Sequence, residues 1–182
     1  MADQDPPKKP STGLRPIERL NSEERLSRLT PATASATHHE YCSKFARDFL
    51  DAHFYFCSSK FVVARAGKVK ALDEAFREAE GWFSKALEWI AETDKIEIPL
   101  FYEKREVQVS HSFAGRLLRL LMQYDRIFAE TLYSLNCGSI TADARETTTV
   151  IAAKRIKAIQ QLCIPDTDKF GPDGTLLNSP RS

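Results

Sequence analysis

Apolar side chains recur along most of this chain at helical spacing, and over one short stretch at every second residue. Tyr41, Phe45, Phe49, Ala52 and Phe56 follow one another at steps of four, four, three and four. That is one face of a helix, expected to begin near Thr37 or His38. Phe54 and Phe61 add aromatic bulk, and Gly67 breaks the pattern. A second helix is predicted from about Lys68 to Thr93. Val69, Leu72, Phe76, Ala79, Phe83, Ala86 and Ile90 step alternately three and four residues, a heptad-like face suited to helix–helix packing. Asp73, Arg77, Glu80 and Glu88 lie opposite. Gly81 costs roughly 1 kcal/mol relative to alanine in a helix interior, and marks a place for a close helix contact.

The period then drops to two. Ile96, Ile98 and Leu100 alternate with Glu97 and Pro99, and Arg105, Val107 and Val109 alternate with Lys104, Glu106, Gln108 and Ser110. Such alternation predicts strand, with Pro99 at an edge or end. A third helix follows from near Ser112, with Phe113, Leu117, Leu120 or Leu121, Tyr124, Phe128, Leu132 and Leu135 on its apolar face. Gly138 suits its end. Ser139 or Thr141 suits the cap of a fourth helix that carries Val150, Ile151, Ile156, Ile159 and Leu162 and stops at Pro165. The expected fold is mostly α: about four main helices and one short strand region. Residues 1–37 read as a flexible N-terminal segment, with a short helix possible within 14–30. Residues 38–164 read as one helical domain with its strand near 104–110, and 165–182 as a loose tail.

Length and charge narrow the picture. A chain of 182 residues suits one domain with tails. No apolar run is long enough to span a bilayer, and the polar start has no apolar signal segment, so a cytoplasmic protein without membrane partners is expected. The four cysteines form no CxxC pair and read as small buried thiols. The net charge is only +1, but residues 104–160 carry nine basic against five acidic groups. A basic excess there can attract a phosphate backbone.

Catalytic signatures are missing: the chain contains no GxGxxG, GxxxxGK[ST], HExxH or GxSxG. Glu103, Glu106, Asp125 and Glu130 form no clear carboxylate pair, and Asp125 reads as part of a helix ion pair or polar network. His38 with Cys42, and His53 with Cys57, stand four residues apart on the first expected helix, as two metal ligands would. The pairs are 15 residues apart, about 22 Å along a helix, too far to close one site. A non-enzymatic protein with no cofactor and no metal is expected.

A short strand followed by two helices matches the ribbon–helix–helix plan, in which strands from two chains form a ribbon that enters the DNA major groove. On that plan Val107 and Val109 face inward, and Lys104, Glu106 and Gln108 outward. Lysine donates to guanine and glutamine pairs with adenine. Arg105 is ambiguous, since strict alternation turns it inward. Arg116 and Arg119 on the next helix are candidate phosphate contacts. The amides from Ser139 to Thr141, at the start of the last helix, are candidates to hold a further phosphate.

The stretch SHSFAGRLLRLLMQYDRIFAETLYSLNCGSI, residues 110–140, resembles the AcaB-like proteins of integrating conjugative elements and conjugative plasmids. The resemblance is carried by Phe113-Ala114-Gly115 after the alternating strand, Tyr124-Asp125 within the leucine-rich helix, and Gly138 and Ile140 at its end. It implies a transcriptional regulator of transfer genes with a ribbon–helix–helix-like element, bound to double-stranded DNA as a homodimer. The rival expectation is a helical protein–protein interaction module accessory to conjugation, using the faces Val69–Ile90 and Tyr41–Phe56 against partner helices.

Overall fold

A computed structural model describes residues 35–177; the helix considered within 14–30 lies outside them. In chain order come β1 (Ser35–Tyr41), α1 (Lys44–Phe49), a π-helical turn (Leu50–Phe54), α2 (Tyr55–Val63) and α3 (Ala66–Ala91). After these come β2 (Glu103–Val109), α4 (Ser112–Asn136), α5 (Ala142–Cys163) and a 3₁₀ turn (Thr167–Lys169). The fold is mostly α, with one short strand region, as the periodicity predicts.

Three helices, α1, α4 and α5, start where the sequence supplies an acceptor, whereas α3 starts after Arg65 without a side-chain cap. Ser43 Oγ accepts from the Ala46 amide at 3.2 Å, His111 Nδ1 from Phe113 at 3.1 Å, and Thr141 Oγ1 from Ala144 at 3.1 Å. Each such cap contributes about 1 kcal/mol. Gly138, at φ 79°, takes the left-handed turn just beyond α4. Helices α3, α4 and α5 pack on one another in every pairing. Leu72, Phe76 and Phe83 meet Leu117, Leu120, Leu121, Ile156 and Ile159 in one core, which Phe54 and Phe61 join. Each of these side chains contributes about 1.5–3 kcal/mol by leaving water.

Five expectations are corrected. First, residues 35–41 are a strand. β1 pairs antiparallel with β2, with His38 opposite Glu106 and Tyr41 opposite Glu103, and helix begins only at Lys44. Tyr41 serves β1 at period two as well as it would a helix at period four. Second, the helical face changes register after Phe49. At the π turn Phe49 and its neighbour Leu50 are both buried, the next inward residue is Phe54, and then Cys57 and Phe61 are buried while Ala52 and Phe56 are exposed. Third, residues 94–102 form no regular element; Ile96 is exposed, and its amide donates to the Tyr133 carbonyl at 3.2 Å.

The fourth correction concerns the glycines. Gly81 meets nothing, whereas Gly67 is the close contact: a Cβ there would lie 1.7 Å from the Gly171 carbonyl oxygen. The fifth follows from it. Residues 165–177 are docked on α3. Phe170 is buried, and Gly171 and Thr175 close a turn through a 2.8 Å backbone bond. Lys68, only 2 % exposed, donates to the carbonyls of Cys163 at 3.0 Å and Pro165 at 2.5 Å. Its cation thereby satisfies the end of α5, where the helix dipole favours positive charge.

Candidate nucleic-acid interface

The strand alternation sets two faces of the ribbon. Tyr41, His39 and Thr37 of β1, with Glu103, Arg105, Val107 and Val109 of β2, face the helices. Ala36, His38, Glu40, Lys104, Glu106 and Gln108 form the exposed outer face. Cross-strand neighbours there are Ala36 with Gln108, His38 with Glu106, and Glu40 with Lys104, the last an ion pair at 2.6 Å. The ribbon is complete within one chain. The expectation that a second chain supplies its other strand is therefore corrected: β1 occupies that place.

The seven candidate residues do not form one surface. Lys104 and Gln108 lie on the outer face as expected. Arg105 points inward and pairs with Asp51, in the π turn. Arg116 is fully engaged: Nε and Nη2 donate to the Glu80 carboxylate at 2.8 Å each, and Nη1 to Asp73 at 2.7 Å. Its guanidinium carbon sits 4.7 Å from the Phe76 ring centroid, and its side chain is 16 % exposed. It is a structural clamp between α3 and α4, not a phosphate contact. Arg119 is exposed, and its Nη1 and a Val109 methyl both approach Gly115, which puts it beside the Gln108 end of the ribbon.

Ser139 and Thr141 stand at the other end of α4. That helix has 25 residues, so about 37 Å separates its ends. The Ser139 amide already donates to the Ser134 carbonyl at 2.9 Å, and Thr141 caps α5. Neither shares a surface with Lys104 and Gln108.

Beneath the ribbon lies a polar centre: Asp125 is expected from the sequence to join a polar network, but its partner His39 is not. His39 is 1 % and Asp125 5 % exposed. His39 Nε2 and Asp125 Oδ2 are 3.8 Å apart. Asp125 Oδ1 accepts from the Ser43 amide at 3.0 Å, holding the corner between β1 and α1. Burial pushes the Asp125 carboxyl up to about 6, against the opposing pull of Ser43, and burial lowers the His39 imidazole. A lone aspartate in the leucine-rich stretch of α4 was the available signal. His39 carried none, because its strand reads equally well as helix.

The faces offered for partner helices are also taken. Leu72, Phe76, Ala79, Phe83, Ala86 and Ile90 are buried in this chain's own core, as are Tyr41 and Phe49. Ala52, Phe56 and Val69 of those faces stay exposed, but the most exposed apolar side chains lie elsewhere, with Phe101 at 81 % and Val150 at 56 %. His38 and Cys42 do not share a helix face, and His53 Nδ1 lies 3.2 Å from Gln160 Nε2. Among the described residues no cluster of three His, Cys, Asp or Glu side chains could hold a metal, and no helix is long and apolar enough to cross a membrane. Comparison with known proteins finds no matching family model, curated protein or solved structure.

Proposed function

We propose that this protein binds double-stranded DNA and reads base edges with the outer face of its ribbon. The observation that carries the reading is the uncovered row Lys104, Glu106 and Gln108 on a two-stranded ribbon fastened to the helices by its other face. Same-face residues on a strand repeat at about 6.7 Å, close to two base-pair steps. The face offers donors from Lys104, acceptors from Glu40 and Glu106, and both from Gln108, a set suited to guanine, cytosine and adenine. Arg119 lies beside it for a phosphate, and Arg126, one helical heptad further along α4 with its side chain 60 % exposed, is paired with Glu130 in an exposed bond that a phosphate can replace. Because the ribbon closes within one chain, each recognition unit is one protein chain, and a homodimer would serve paired half-sites. The resemblance of residues 110–140 to AcaB-like proteins supports a regulatory role on a conjugative element.

The face is rich in hydrogen-bonding groups and attracts no phosphate by its own charge, since Lys104 is matched by Glu40 and Glu106 adds a further carboxylate. About two phosphates are neutralised, so log K against log salt should fall with a slope near −2. The test is anisotropy titration of the full chain against a mixed pool of short duplexes across salt, with the bound fraction sequenced. Enrichment of a site with that shallow slope is expected, and Gln108→Ala should relax the preference at one position. No binding at low salt would end the reading.

A second reading, a protein-docking module, is favoured by the exposed Phe101 and Ile96 in the connector before β2. It predicts partner binding that salt does not weaken and that Phe101→Ser abolishes.

A further inference from the structure

The polar centre under the ribbon is incompletely bonded. Both imidazole nitrogens of His39 and Oδ2 of Asp125 lack hydrogen-bond partners among the described residues. Their 3.8 Å separation is too long for a hydrogen bond and short enough for a small side-chain rotation to close one. Buried polar atoms without partners are rare in folded proteins, because each loses its hydration without replacement.

Among the described residues no cation pairs with this carboxylate; Arg105, opposite His39 across the ladder, is taken by Asp51. Tyr41 stands two residues from His39 on the same face of β1, with its ring 5.8 Å away. Cys42 and Ser43 come from the turn after β1, and Tyr124 from α4. Burial and the Asp125 charge both raise the Cys42 thiol and the Tyr124 hydroxyl, so both stay neutral. Tyr102, from the connector, bonds Cys42 and is raised as well, mainly by burial. Arg145 of α5 acts on Tyr124, but its guanidinium lies over Phe128. Among the described residues, the carboxylate is therefore compensated by the Ser43 hydroxyl and by the Ser43 and Cys42 backbone, all neutral donors.

We propose that His39 and Asp125 form a one-proton latch that fastens the ribbon to α4. A proton from solvent settles on Oδ2 and is donated to the imidazole, which joins β1 to α4 and removes the buried charge. Loss of that proton buries a carboxylate charge that the imidazole N–H and the groups of the β1–α1 corner offset only in part, and so loosens β1. Glu40 and His38, which flank His39, are on the outer face, so the latch governs how firmly that face is held. The inference does not rest on the DNA reading.

The test uses the full chain without DNA. A nuclear magnetic resonance titration from pH 4.5 to 8 follows the Asp125 carboxyl carbon, the His39 ring and the Ser43 amide. All three should move together in one step near pH 6, and Asp125→Asn should remove that step from the other two. Amide exchange in the β1–β2 ladder, corrected for intrinsic rates, should slow about tenfold between pH 7.5 and 5, as the carboxyl shift requires. If the variant does not fold, the titration of the unaltered protein still decides. Asp125 stepping in the ordinary carboxylate range, or His39 titrating alone, would overturn the latch.

Discussion

Replacing Arg116 with methionine tests whether that side chain is a clamp or a DNA contact. Methionine keeps the apolar stem and deletes three charge-assisted hydrogen bonds of 2.7–2.8 Å to Glu80 and Asp73. A fully buried ion pair broken on one side costs about 3–5 kcal/mol. That figure is too large here, because the Asp73 and Glu80 side chains are 33 % and 38 % exposed and water can reach them. Asp73 also keeps Arg77, at 2.6 Å. Charge-assisted bonds of this kind leave about 2 kcal/mol, and the cation over Phe76 adds about 0.5–1 kcal/mol. The expected loss is about 2–3 kcal/mol, or roughly 4–10 °C in Tm. Urea unfolding followed by circular dichroism measures it, with thermal melts alongside. The difference should also depend on pH. Arg116 first, and Arg77 after it, hold the Asp73 carboxyl below its ordinary value. That stabilisation is present above about pH 4 and disappears as pH falls through the lowered value, so the two proteins should converge in acid. The salt slope of DNA binding should not change. A loss under about 0.5 kcal/mol, or a slope reduced by one, would refute the clamp.

Two further perturbations probe the docked C-terminal segment. Gly67→Ala drives a Cβ into the Gly171 carbonyl, where backbone and not a flexible side chain must give way; residues 167–177 should detach, with a loss of about 1–3 kcal/mol and new tryptic cleavage after Lys169. Lys68→Ala leaves the carbonyls of Cys163 and Pro165 unpaired at the buried end of α5; about 2–3 kcal/mol should be lost, readable as a lower urea midpoint.

The periods of this chain determined a great deal. The threefold and fourfold steps from Leu72 to Ile90, and from Phe113 to Leu135, can bury apolar surface only as long helices, and both helices are present. The alternation from Lys104 to Val109 turns Val107 inward and Lys104 and Gln108 outward whatever covers the strand. Gly138 and Thr141 mark the break between α4 and α5 by their local backbone chemistry alone.

What local pattern could not decide is which element each face meets. His38 to Tyr41 fits a helix or a strand, and only the ladder offered by β2, some sixty residues on, selects the strand. The step from Phe49 to Phe54 is legible as a π turn only once the core that receives both rings exists. Arg116 looks like a free cation in the sequence because Asp73 and Glu80 are carried by another helix. His39 and Asp125 stand far apart along the chain and meet in a dry interior, where burial lowers the imidazole and raises the carboxyl from their ordinary values. Period is a property of neighbours along the chain. Pairing, desolvation and charge compensation belong to neighbours in space, and for those the tertiary structure was required.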